Sequence, residues 1–325
     1  MRVLGFSLLL TLCFAFVAKS GTPDDERLES NRLTESTGRN LRVWIRDKGT
    51  QEAKSADSSV NFYVDDSVVP YAITLNSGSG NDVQIRMSNE LRVLFVYFSD
   101  VDILQSQHSQ FFPCVSKYKD YLFTTFAENA KRSAAQQPVV EFEQPEVFAY
   151  SLGGVCSGFD NLFPLPKDLR PLRDKGVDAA VGFLYFHELG HVALHHNAAG
   201  LDAFIAAKND ADRQRAFLAW NKNSRQQERD ADAWAIQQLT KMGIPPQDLA
   251  IGPVLDIFLA SSGLNCAFDS ISTHDNALAR TSEMTDAIRS AYVKQYHREI
   301  SPELQLIFSN FKSLNASAKN QLQCP

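Results

Sequence analysis

The chain of 325 residues lacks a surplus of positive charge: 32 lysines and arginines stand against 38 aspartates and glutamates, a formal net charge of −6 with histidine neutral. A broad cationic face for a phosphate backbone or an anionic lipid surface is therefore not expected, which argues against nucleic acid as a partner. Long hydrophobic runs are missing except at the amino terminus, where Val3 to Ala18 is nearly all apolar. That run is short for a bilayer span, follows the single basic residue Arg2, and ends in Ala18-Lys19-Ser20, with small residues where a signal peptidase reads them. Residues 1–20 are thus expected to be a signal peptide cleaved near Ser20, leaving a secreted or periplasmic chain with no transmembrane segment. Cysteine is scarce as well. Five are present, and with Cys13 inside the leader, Cys114, Cys156, Cys266 and Cys324 remain. An even count in an oxidising compartment suggests two disulfides among three possible connectivities, and proximity in sequence favours Cys114 with Cys156 and Cys266 with Cys324. No internal repeat is evident, which removes solenoids and propellers.

The remaining pattern divides the chain unevenly. Residues 21–40 are polar, charged and poor in aromatics, as a flexible leader is, and Leu41 to Arg46 alternates like a strand. Residues 41–325 read as a single domain. Short β-like runs at Val60–Val64, Tyr71–Leu75 and Val83–Met87 suggest a small antiparallel sheet, with Val83–Met87 as an edge strand able to pair with an extended peptide. Ser88 is placed to cap a helix running to about Phe98. Residues 100–175 hold one plausible helix near Lys117–Lys131 and then a stretch marked by Gly153-Gly154, Pro164, Pro166 and Pro171, read as a loop-rich insertion stapled by Cys114 and Cys156. From residue 176 the pattern is helical: about 177–197, 211–241 with a possible break at 221–224, 247–261, 276–297, and a short last helix opened by Ser301-Pro302-Glu303. The fold class expected is α+β, mainly helical.

Histidine is rare, only seven residues, yet two of them stand four apart in His187-Glu188-Leu189-Gly190-His191. On a helix such residues differ by about 40° around the axis and about 6 Å along it, so both imidazoles can reach one metal ion, with Glu188 beside them as a base for water. The apolar flanks Val181–Phe186 and Val192–Leu194 suit a helix in the core. A catalytic zinc usually takes a third protein ligand. His195 and His196 lie too far along the helix, and Leu194 and Asn197 stand where a metzincin would need Gly and His. Glu228, 37 residues past His191, lies on a helix whose Ala231 and Ala235 permit close packing. Asp232 shares its face and can accept a hydrogen bond from a ligating ring.

These segments, HELGHVALHH, then ERDADAWA, then Ser272-Thr273-His274-Asp275-Asn276-Ala277-Leu278-Ala279-Arg280, together resemble the gluzincin metallopeptidases related to CAAX prenyl endopeptidase and to soluble periplasmic zinc proteases. The resemblance covers residues 180–285 well and 60–98 weakly; Asp275 stands where the family has proline, and the separation between the Val83 strand and the HExxH helix is longer than in relatives. It implies a zincin-like metallopeptidase fold and one Zn²⁺ per chain held by His187, His191 and Glu228. It also implies Glu188 as general base, Asp232 behind the ligands, and His274 and Arg280 orienting the site or stabilising the oxyanion. His196 falls at a packing position at the end of the first helix. The activity implied is hydrolysis of peptide bonds in a peptide or unfolded protein by a zinc-activated water. The alternative is a secreted binding or chaperone-like protein with a zinc of structural use only, which would have no need of Glu188.

Overall fold

The computed structural model describes residues 23–67, 69–76, 83–196, 208, 210–249, 254 and 276–321. Residues 1–20, expected to be a signal peptide, Cys266, His274, Cys324 and most of the stretch 247–261 expected to be a helix lie outside them. The described chain is mostly helical, with nine α-helices and one three-stranded sheet among these residues.

Its centre is α6 (Arg170–Ala193), which carries His187 and is buried on every side from Ala180 to Gly190. A helix apolar all round requires neighbours all round. They are α1 (Pro23–Lys48), α2 (Gln51–Ser58), α3 (Asn89–Gln107), α7 (Asp210–Lys241) and the sheet. Phe183, Tyr185 and Phe186 are almost wholly enclosed, each such side chain contributing about 1.5–3 kcal/mol by leaving water. Tyr185 meets Phe62 edge-on, and Phe186 meets Trp44 and Trp234.

The strands are β1 (Val60–Asp65), β2 (Ala72–Asn76) and β3 (Val83–Ser88). All three fall where the alternation put them, but the sheet is mixed. Its order is β1-β3-β2, with β3 antiparallel to β2 and parallel to β1. The chain steps past one strand width between β1 and β2, and β3 returns into the space between them. Val83–Met87 is therefore the central strand and not an edge; the edge on its far side from β1 is β2.

The amino-terminal segment also departs from expectation. Residues 23–48 form one helix, not a leader followed by a strand. Its buried stripe is Ser30, Thr34, Thr37, Gly38 and Ile45, with Leu41 packed against the core. The spacing is helical, but the buried residues are mostly small and polar, so the stripe is invisible to a hydrophobic reading. Ser30 donates to the Asn89 carbonyl and Thr37 to Asp178. A β-carbon on Gly38 would come within 2.2 Å of the Phe62 ring, so the approach of α1 to β1 requires glycine.

Residues 100–175 are more helical than a loop-rich insertion. α3 starts where Ser88 caps it, with its hydroxyl accepting from Leu91, but it runs on to Gln107 because Val101 and Leu104 continue the buried face. α4 (Phe112–Ala134) buries Cys114, Val115, Tyr118 and Leu122, and α5 (Pro145–Leu152) closes over it. Irregular backbone is confined mainly to 135–144 and 153–169, which hold Gly153, Gly154, Pro164 and Pro166. Cys114 and Cys156 are joined as a disulfide, as proximity suggested. α7 passes through 221–224 unbroken, and α8 (Ala277–Tyr296) and α9 (Pro302–Gln321) finish the described chain. The last helix is a full 20 residues, its Ser301 hydroxyl accepting from the Leu304 N–H. No helix among the described residues is long and apolar enough to cross a membrane.

Candidate metal centre

The two helices that meet at the site cross at their smallest residues. Gly190 of α6 faces Ala231 of α7, and a β-carbon there would lie 3.0 Å from both the Ala231 Cα and its carbonyl oxygen. That contact lets the Glu228 turn of α7 come down beside the two histidines of α6. α7 is tied from behind by α2: Trp234 donates from Nε1 to Glu52 at 2.6 Å, Gln238 donates to Glu52 at 3.0 Å, and Thr50 donates to Gln238 at 2.6 Å. Tyr185 similarly donates to Asp57 at 2.6 Å and fixes the depth of α6.

His187, His191 and Glu228 come together, each offering one donor atom within 4.8 Å of the others. The His187 and His191 Nε2 atoms are 3.2 Å apart. One Glu228 oxygen lies 3.3 Å from His187 Nε2 and the other 3.4 Å from His191 Nε2. A tetrahedron with ligand bonds of about 2.0–2.1 Å has edges of about 3.3–3.4 Å, so the separation of the two imidazole nitrogens matches one edge of a zinc site, and Glu228 bridges the two rings with a different oxygen toward each.

The groups behind the donors fix which atoms point inward. Asp232 Oδ1 lies 2.8 Å from His187 Nδ1, so the network assigns the proton to Nδ1 and turns Nε2 to the centre. Arg280, one turn into α8, holds Asp232 with both arms, Nε to Oδ2 at 2.7 Å and Nη2 to Oδ1 at 2.8 Å. The N-cap Asn276, whose side chain accepts from the Ala279 N–H, sets the start of that helix and hence the register of Arg280. His187, Asp232 and Arg280 are each at most 6 % exposed, a burial tolerable for charges only because they are paired. Arg280 thus sits behind the ligand side of the site, on Asp232, where it positions.

His191 is held by a residue expected only to pack. His196 Nδ1 lies 2.9 Å from His191 Nδ1, so with Nε2 facing the donors, His191 gives its Nδ1 proton to His196. The reach comes from how α6 ends. His196 N–H donates to the His191 carbonyl and His195 N–H to that of Val192, while His195 takes φ of 53°. This is a left-handed helix cap of the kind glycine usually supplies, and it folds His196 back over His191.

Glu188 also has a partner that the sequence did not suggest. Thr74, at the middle of β2, donates its hydroxyl to Glu188 Oε2 at 2.7 Å and lies 3.1 Å from the Glu188 carbonyl. A lone threonine in a short strand carries no signature; only the crossing of β2 over α6 reveals it.

The charges agree with a cation at the centre. Burial pulls the His187 ring down, but Asp232 and Glu228 outweigh it and hold its pKa near 10. Burial and the neighbouring His187 push His191 down to about 3. Burial would raise Asp232, yet Arg280 and His187 bring it to about 2, and burial raises Glu188. Two imidazoles at 3.2 Å and two carboxylates therefore demand one positive charge among them, and a divalent ion would compete for it with a proton. The donor set, two imidazoles and a carboxylate, suits zinc.

No protein-family model, no curated protein and no solved structure matches this chain.

Proposed function

We propose that the protein is a zinc-dependent endopeptidase of the gluzincin type, with a zincin-like fold, acting outside the cytoplasm on peptides or unfolded protein. The observation that carries this reading is the convergence of His187, His191 and Glu228, one donor atom of each within 4.8 Å of the others, directly beside a buried Glu188 that is not one of the three. A site of purely structural use needs closed coordination and no base; here a third carboxylate is buried and oriented next to three donors.

His187, His191 and Glu228 would hold the ion, with Asp232 and His196 orienting the two rings. The ion would supply a Lewis acid that polarises the scissile carbonyl and acidifies water next to it. Glu188 receives the proton of the attacking water. Its Oε2 is engaged by Thr74, which leaves Oε1 to accept, and burial raises its proton affinity, as suits a group that takes and returns a proton. That proton then goes to the leaving amine nitrogen as the C–N bond breaks, and the second water proton follows to the amine, so water and amide become a carboxylate and an ammonium. The substrate enters along β2, an edge on which no second partner strand is found among the described residues. An extended peptide paired there runs past Thr74 and therefore past Glu188.

Glu188→Gln is expected to retain zinc while losing at least about a thousandfold in hydrolysis of unstructured casein, in keeping with loss of a general base. Full activity in that variant would remove Glu188 from its role.

A further inference from the structure

We propose that Ile73 and Leu75 select the substrate, favouring extended peptides with apolar side chains on both sides of the residue paired with Thr74. This rests on the endopeptidase reading and adds to it what the enzyme prefers to cut.

Alternation along β2 separates two jobs. Thr74 faces inward, onto Glu188. Ile73 and Leu75 face outward and are 43 % and 41 % exposed. Both belong to one outer face of the sheet. Ile73 is in register with Arg86 and Tyr63, and Leu75 with Gln84 and Asn61. On the side toward β3, then, the neighbours of these two aliphatic side chains are polar or charged.

Exposed apolar residues on a free edge invite unwanted pairing, and edges are commonly blunted by charge or proline. β2 has neither. The edge is also correctly presented for a new strand. The Ser88 N–H donates to the Tyr71 carbonyl at 2.9 Å; in an antiparallel ladder these bonds recur at every second residue. Ile73 and Leu75 therefore spend their backbone groups on β3, while Thr74 turns its N–H and C=O to the open side. An incoming antiparallel peptide makes its hydrogen-bonded pair with Thr74, and the side chain of that residue points inward toward the metal ligands. The two flanking residues point outward and lie directly across from Ile73 and Leu75, at the spacing where cross-strand side chains interact. Apolar partners shield both aliphatic groups; polar ones do not. The site thus reads two residues, spaced two apart, around the one next to the chemistry.

The test uses the full chain carrying Glu188→Gln, so that binding is read without turnover. Fluorescein-labelled decapeptides of serine and threonine background carry valine at two positions two apart, at one of them, or at neither. The pair is expected to bind about five- to twentyfold more tightly than the valine-free peptide, the singles falling between. Ile73→Thr with Leu75→Thr, which keeps strand-forming residues on an exposed face, is expected to abolish that ranking with zinc content unchanged. Tyr63→Thr, on the same face but on β1, is expected to leave it intact. In the Glu188-containing chain the preferred cut lies next to the residue between the two valines. Equal binding of all peptides, no binding, or a ranking that survives the double substitution overturns the selectivity proposal even if casein is cleaved. Failure of the peptidase reading is distinguishable, because zinc and casein hydrolysis would then both be missing.

Discussion

At the scale of single residues, the site was legible wherever its members sit one helical turn apart. His187 and His191, then Glu228 and Asp232, announce themselves by a four-residue spacing, whereas Arg280 was expected only from the resemblance to the gluzincin motifs. Residues whose role depends on a crossing or on how a helix ends were not legible: Thr74 acts because β2 passes over α6, and His196 because the chain turns back after His195. His274 lies outside the described residues, so the oxyanion role expected of it stays an expectation. The bond from His191 to His196 has a measurable consequence. His196→Ala frees the His191 ring to rotate and is expected to lower zinc affinity about 10–100-fold. His196→Asn, able to accept at a similar place, should recover part of it, as read by competition with a chelator. His195→Gly should leave affinity unchanged and raise thermal stability slightly, since glycine adopts the left-handed cap without strain.

At the scale of elements, the sequence placed the three sheet strands and the helices at 210–241 and 277–296 well because their buried positions are regularly spaced; the last helix is longer than expected because its exposed face continues a helical pattern past the first turn. α1 escaped because Ser30, Thr34, Thr37 and Gly38 do the burying there; a stripe of small polar residues satisfies its hydrogen bonds locally and leaves no hydrophobic period. The mixed sheet escaped because alternation reports which face is buried and carries no information on strand direction. The length of α3 was underestimated since Ser99, Asp100 and Asp102 interrupt an apolar count that Val101 and Leu104 continue in space. The packing of α6 on α7 is the element contact that brings His187, His191 and Glu228 together. Gly190→Val should therefore push α7 away from α6, costing roughly 1–3 kcal/mol and weakening zinc binding without touching a ligand, measured as a lower denaturation midpoint and a lower metal content.

At the scale of the whole molecule, two features outside the candidate metal site set stability. The Cys114–Cys156 bridge closes a loop with a sequence separation of 42, and its removal by serine at both positions should cost about 4 kcal/mol through the unfolded state, seen as a lowered denaturation midpoint under oxidising conditions. The second is Asp100, a buried carboxylate at the wall of an open cleft of about 390 Å³ that is also lined by Tyr97, Phe163, Arg92, Arg170 and Arg173. Burial pushes its carboxyl from an ordinary 3.8 to about 7, with Arg173 opposing and Glu146 and Asp174 adding to the rise. The folded chain thus keeps a proton that the unfolded chain gives up. This contribution to stability is complete below about pH 4, is lost as pH rises, and is gone above about pH 7. Asp100→Asn should match the parent near pH 4 and exceed its stability at pH 8 by on the order of 2–4 kcal/mol, measured by denaturant unfolding at the two pH values. Neither feature takes part in the chemistry, which lets them serve as tests of the fold separate from tests of function.

The central claim is that three side chains from two crossing helices hold one zinc ion for hydrolysis. Its most direct test is the metal content of the purified, unchelated protein by elemental mass spectrometry, wild type beside Glu228→Ala, with casein digestion followed on the same samples. About one zinc per chain is expected in the wild type, lost together with cleavage in Glu228→Ala. Wild-type protein without zinc, or zinc and cleavage undiminished in Glu228→Ala, would contradict it.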